Sequence, residues 1–217
     1  MIQACIFDLD GVLVDTVGLH FESWQKLASS LGYELPLHLK NKFRGASRMK
    51  SLGYILDEFS IHANENDKAK FCHLKNKWYQ ESLANINEDI MLEGAKSLLL
   101  ELSKSNIKVA LASASKNAKL IIKKLKLDNL FDAMVDANDV TLTKPNPEVF
   151  LSAAKKINCK PSDCIVFEDS PLGVTAAQAG GFKSIGIGEE IDISTVDSHF
   201  HSLEGISWSD LARHFEK

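Results

Sequence analysis

The chain has 217 residues, 45% of them hydrophobic and 25% charged, with a formal net charge of -4 at pH 7. Enough apolar material is present for a substantial core, and the acidic balance speaks against a nucleic-acid or membrane-surface protein, both of which need a basic face. No apolar stretch approaches bilayer length, and Cys5, Cys72, Cys159 and Cys164 form no CxxC pair and have no His at zinc spacing, so reduced thiols in the cytoplasm are expected.

Ala4 to Phe7 is a short apolar run ending in polar and glycine residues, which fits a buried strand. At Val17 the period changes: Val17, Phe21, Trp24, Ala28 and Leu31 fall at helical spacing and Gly32 supplies a stop. Further helices are expected over about 47–59 and 66–84, with no convincing strand between Val17 and Ile86. That block reads as a helical insert.

Alternation then resumes. Ala95, Leu98, Leu99 and Leu102 mark a helix face, 107–112 a strand, 117–125 a helix, and Met134-Val135 a short strand. Asn146-Pro147 predicts a cap followed by proline at the first helical position, opening a helix to Ile157. Cys164 to Phe167 is the next strand, and Ser170-Pro171 repeats the cap signal before a helix ending at Gly180. The tail after Glu189 offers only a short helix over 209–215. Strands separated by helices imply an α/β fold with a parallel sheet covered on both faces.

Ligands of such sheets bind beyond the carboxyl ends of the strands. Those ends supply Asp8 and Asp10, then Ser113, then Lys144 from a loop, then Glu168 and Asp169. Carboxylates suit a hard cation such as Mg²⁺, while the lysine and the hydroxyl suggest an anion beside it. Two carboxylates on a face buried under helices are not tolerated, so Asp8 and Asp10 must lie past their strand, where Gly11 lets the chain turn. Ser113 and Ala114 sit where strand gives way to helix, with backbone N–H groups free for a phosphate.

Asp8-Leu9-Asp10-Gly11-Val12, Ser113, Lys144 and Glu168-Asp169 resemble, in type, order and spacing, the four motifs of the haloacid dehalogenase superfamily of phosphohydrolases and phosphomutases. The resemblance spans nearly the whole chain. It implies a Rossmann-like core over 1–15 and 87–217 with a small α-helical cap domain over 16–86. It also implies Asp8 as the nucleophile that forms an aspartyl phosphate and Asp10 as general acid and base. Mg²⁺ would be held by Asp8, the Asp10 carbonyl, Glu168 and Asp169, with Lys144 and Ser113 steadying the phosphoryl oxygens.

Thr16, His20, Trp24, the Gly45-Ala46-Ser47-Arg48 stretch, Lys75 and the Ala112-Ser113-Ala114-Ser115-Lys116-Asn117 run are similar to the β-phosphoglucomutase subclass. Related sugar phosphatases share several of these. The likeness implies a monomer that binds a small-molecule sugar phosphate, with Arg48, Ser115, Lys116 and Asn117 gripping a second phosphate. A mutase acting on a sugar bisphosphate needs that second anion site more than a hydrolase does. A sugar or polyol phosphatase on the same core and a non-catalytic binding module are the rival expectations. No catalytic position is replaced by an inert residue, which speaks against the second.

Overall fold

In the computed structural model, which describes residues 1–189 and 191–215, the short apolar runs become parallel strands. Strands β1 (Ala4–Phe7), β2 (Lys108–Ala112), β3 (Ala133–Val135), β4 (Cys164–Glu168), β5 (Lys183–Ile187) and β6 (Ser198–Phe200) form one sheet in the order β3-β2-β1-β4-β5-β6. Every pairing is parallel, so the connecting helices must cross over its faces.

Alternate residues of each strand serve different cores. Cys5, Phe7, Val109, Leu111, Ile165 and Phe167 pack with α5 (Ala95–Lys104) and α6 (Ala118–Lys124). Ala4, Ile6, Ala110, Ala112, Cys164 and Val166 face α7 (Glu148–Lys156) and α8 (Pro171–Ala179). The C-terminal α9 (Trp208–Phe215) adds Leu211 to the first core.

Between β1 and β2 the chain forms α1 (Val17–Ser30), the short α2 (Leu39–Lys42), α3 (Arg48–Glu58) and α4 (Glu65–Ser82). These helices share an apolar cluster of their own, including Phe21, Trp24, Leu27, Leu39, Ile55 and Cys72. Among the described residues none of these helices, nor any other, is long and apolar enough to cross a membrane.

Two local expectations need correction. Helix α7 starts at Glu148 rather than Pro147, although Asn146 Oδ1 still accepts from the Glu148 N–H at 3.0 Å. The cap bond is kept while the proline falls just outside the first turn. Strands β5 and β6 lie between the helix expected to end at Gly180 and the one expected over 209–215, where no strand was expected. At α8 the expected arrangement holds: Ser170 Oγ accepts from the Gly173 N–H at 3.1 Å, with Pro171 in the first turn.

Strand β1 is central. After it the chain builds outward through β2 and β3, then returns to β4 on its other side. The order therefore reverses between β1 and β4, opening a crevice at their carboxyl ends.

Candidate active site

The strand ends deliver their side chains into that crevice. Asp8 follows β1, and its N–H still bonds to the Phe167 carbonyl at 3.0 Å. Glu168 ends β4 and Asp169 follows it. Two glycines let these acids crowd together. A Cβ on Gly11, whose φ is +87°, would meet Asp169 Oδ2 at 2.0 Å, and one on Gly173 would meet Glu168 Oε1 at 1.8 Å. Glu168 thereby folds back over the start of α8, where the Ser170 N–H and Oγ donate to its Oε2 at 2.9 and 2.8 Å.

Lys144 reaches the same place from the loop after β3. Its ammonium donates to Asp8 Oδ1 at 2.7 Å and to Glu168 Oε1, with no exposure. Burial alone would lower its pKa, but Asp8 and Glu168 outweigh this and lift it, so Lys144 carries its charge.

Carboxylate oxygens of Asp8, Glu168 and Asp169 lie within 4.8 Å of one another, all buried. Asp169 Oδ2 accepts from Arg44 Nη1 at 2.6 Å, whereas Asp169 Oδ1 is buried without a partner among the described residues. Burial, with Glu168 alongside, pushes the Asp169 carboxyl up to about 7, and burial also lifts Asp8 well above the usual carboxylate range. Three acids thus share two cations, Lys144 and Arg44, leaving excess negative charge and an orphan oxygen. This oxygen-only, under-compensated set fits Mg²⁺. The Asp10 carboxylate lies outside that group, so any share Asp10 has in the metal belongs to its backbone carbonyl.

The Asp10 side chain turns instead toward the helical block. Thr16 Oγ1 donates to its Oδ1, and His20 Nε2 lies 3.7 Å from the same oxygen. Lys75 Nζ sits 2.8 Å from His20 Nδ1 and over the rings of Tyr79 and Trp24, at 4.5 and 5.1 Å from their centroids. Burial, then Lys75, lowers the His20 pKa to about 4, so the ring is neutral near pH 7. An ammonium at Nδ1 leaves the ring proton on Nε2, facing Asp10. Burial by itself would raise Asp10; His20, Thr16 and Lys75 outweigh it and hold the carboxyl below its ordinary value.

Lys75 is itself brought down to about 7 by burial, with Arg48 adding to the effect. An unfolded lysine keeps its proton to about pH 10.4. The folded chain therefore pays for a buried ammonium below pH 7 and sheds that cost as pH rises toward 10. Lys75→Met removes the penalty, so in thermal melts the difference between variant and wild type should move in favour of wild type between pH 7 and 10. A difference that does not change with pH would show that Lys75 stays protonated throughout.

Ser113 Oγ accepts from the Ser115 N–H at 3.0 Å and Ser115 Oγ from the Asn117 N–H at 3.2 Å, shaping the β2–α6 turn. Ala114, Ser115 and Lys116 line a cavity of about 340 Å³ that runs from Asp8 and Asp10 past Trp24 to Arg48. Gly45, at φ +65°, packs so closely that a Cβ would meet Ser170 Oγ at 2.2 Å, which brings the loop before α3 onto the acid cluster. Arg48 Nη2 donates to Asn76 Oδ1 at 2.7 Å. The Asn117 carboxamide is engaged by Asn76 and Gln80.

Sequence reading missed Arg44, Asn76 and Gln80. Arg44 adjoins the singled-out Gly45, and Asn76 and Gln80 stand one turn apart on α4, beside Lys75 and Tyr79. That helical spacing was the available signal, but a partner for it lies across the fold rather than along the chain.

Comparison with known proteins points to one family. The family described as haloacid dehalogenase-like hydrolase matches residues 5–187. The chain is 34% identical over 189 residues to a β-phosphoglucomutase of Bacillus subtilis, covering 86% of this chain and 84% of that protein. It is 31% identical over 185 residues to a phosphorylated carbohydrates phosphatase of Thermotoga maritima, covering 84% and 83%. A crystal structure of β-phosphoglucomutase from Clostridium difficile superposes with a TM-score of 0.94 at 33% identity, covering 100% of this chain and 98% of that one.

Proposed function

This chain belongs to the haloacid dehalogenase-like hydrolases, and from that premise we propose that it is a phosphomutase interconverting β-glucose 1-phosphate and glucose 6-phosphate through β-glucose 1,6-bisphosphate. One observation carries the reading: acids and cations line a single cavity in two groups, which we read as two poles for phosphate. Asp8 and Lys144 stand at one, and Arg48 with Ser115 and Lys116 at the other, with Asp10 lining the space beside Asp8. The sugar is named from the Bacillus and Clostridium relatives.

With Asp8 phosphorylated, Asp10 takes the proton of the 6-hydroxyl of β-glucose 1-phosphate as that oxygen attacks phosphorus and the bond to Asp8 breaks, giving the bisphosphate. The bisphosphate turns end for end, Asp8 attacks the phosphorus at the other end, the bond to the sugar O1 breaks, and Asp10 gives that oxygen the proton it took. Mg²⁺ held by Asp8, Glu168, Asp169 and the Asp10 carbonyl would supply positive charge against the repulsion between phosphoryl group and carboxylates. Lys144, the Ser113 hydroxyl, which accepts from the Ser115 N–H and keeps its own proton to give, and the Ala114 N–H, which has no partner among the described residues, are the donors available to the phosphoryl oxygens. Thr16 and the His20–Lys75 pair hold the Asp10 carboxylate in place. Residues 16–86 act as a cap whose closure keeps water from the aspartyl phosphate.

Phosphorus NMR of the protein with Mg²⁺, β-glucose 1-phosphate and a trace of the bisphosphate tests this. Conversion to glucose 6-phosphate with little free phosphate is expected; steady accumulation of inorganic phosphate would establish a phosphatase instead. Arg48→Ala should lower kcat/KM for the bisphosphate about 10- to 100-fold, the cost of a charged hydrogen bond. An equal loss on a simple monophosphate ester would remove Arg48 from the second site.

A further inference from the structure

Arg48 forms no ion pair among the described residues; its single side-chain hydrogen bond runs from Nη2 to Asn76 Oδ1 at 2.7 Å. The same oxygen accepts from Asn117 Nδ2 at 3.0 Å, and Asn117 Oδ1 in turn accepts from Gln80 Nε2 at 3.0 Å. Asn76 and Gln80 lie one turn apart on α4, Arg48 opens α3, and Asn117 caps α6 from the sheet side. One carboxamide oxygen therefore joins the guanidinium to Asn117, next to the Ser115 and Lys116 that line the cavity.

From this we infer that Asn76 is a positioning residue for the second phosphate, an inference that rests on the two-pole reading above. An amide oxygen has two lone pairs, and both are spent here. With one Nη2 hydrogen tethered, Arg48 presents the other Nη2 hydrogen together with Nε or Nη1 to a ligand. Without the tether the guanidinium sits at the end of a long flexible stem and would lose rotamer freedom on every binding event. The acceptor is also neutral. A carboxylate at that position would hold Arg48 as well or better, but it would cancel the charge the phosphate is meant to meet and would add repulsion of its own. Asparagine orients the cation and leaves its charge for the ligand.

The isosteric change separates orientation from mere packing. Asn76→Asp keeps the shape and both hydrogen bonds, so a purely structural role predicts behaviour near wild type. Positioning of a phosphate-binding cation predicts the reverse. kcat/KM for β-glucose 1,6-bisphosphate should fall about tenfold further than kcat/KM for acetyl phosphate, a phosphoryl donor without a second phosphate. The melting temperature of Asn76→Asp should hold. Asn76→Ala should show the same selective fall, seen mainly in KM.

Asn76→Asp acting on the bisphosphate like wild type would overturn the inference. So would equal losses on both donors in the two variants. The fate of the phosphate is read separately: wild-type protein releasing it to water would refute the mutase, while the ratio between the two donors would still decide for or against Asn76.

Discussion

Asp8→Asn should lower turnover about 10⁴-fold or more, the scale on which removal of a nucleophile acts, and protein denatured during turnover of radiolabelled substrate should carry no acid-stable phosphate. The substitution is nearly isosteric, and its amide oxygen can keep the bond that Lys144 makes to Asp8 at 2.7 Å. What it removes is the anion. Asp8 is one of three buried acids sharing two cations, and burial lifts its carboxyl well above the normal range. The folded protein therefore gains nothing from ionising this group without metal, and Asp8→Asn should melt no lower than wild type in chelator. Lost activity with undiminished stability separates a nucleophile from a structural acid. Residual turnover within tenfold of wild type, or a phosphorylated Asp8→Asn protein, would sink the mechanism.

The parts of this site that are legible in sequence are those fixed by strand ends. Asp8, Ser113 and Glu168 each stand at or just past the last residue of a strand, and an apolar run that stops at a polar residue announces its own end. Ser170-Pro171 is local in the same way, since the hydroxyl bonds an N–H three residues on. Strand β5 is not. Its sequence Lys-Ser-Ile-Gly-Ile buries Ser184, whose N–H and Oγ bond Asp197, and keeps Gly186 because a Cβ there would meet Ile191 at 2.6 Å. Both residues dilute the apolar pattern for reasons found elsewhere in the fold. The same holds for Arg44, which meets Asp169 across 125 positions, and for Asn76, which meets Arg48 and Asn117. A polar residue on a charged helix reads as solvated surface until its partner is placed.

Lys144→Ala carries the second large effect, and it should be visible without substrate. Lys144 is fully buried and is the one cation that touches both Asp8 and Glu168 among the described residues. Its removal leaves Asp8, Glu168 and Asp169 with Arg44 alone, and breaking a buried pair from one side costs about 3–5 kcal/mol. The variant should melt well below wild type in chelator. Mg²⁺ should then restore more stability to the variant than to wild type, because binding stabilises in proportion to the logarithm of [Mg²⁺]/Kd and the uncompensated carboxylates bind the cation more tightly. A tenfold gain in affinity corresponds to about 1.4 kcal/mol of additional stabilisation at saturating metal. Turnover should stay low even in Mg²⁺, by about 10²- to 10³-fold, since the cation restores the charge balance but not the donor that Lys144 offers to the phosphoryl oxygens. Equal stabilisation of variant and wild type by Mg²⁺ would mean that the metal binds elsewhere, and the acid cluster would then need Lys144 for folding alone. Recovery of full turnover with the metal would assign Lys144 to charge balance and leave the phosphoryl oxygens to the backbone at Ala114.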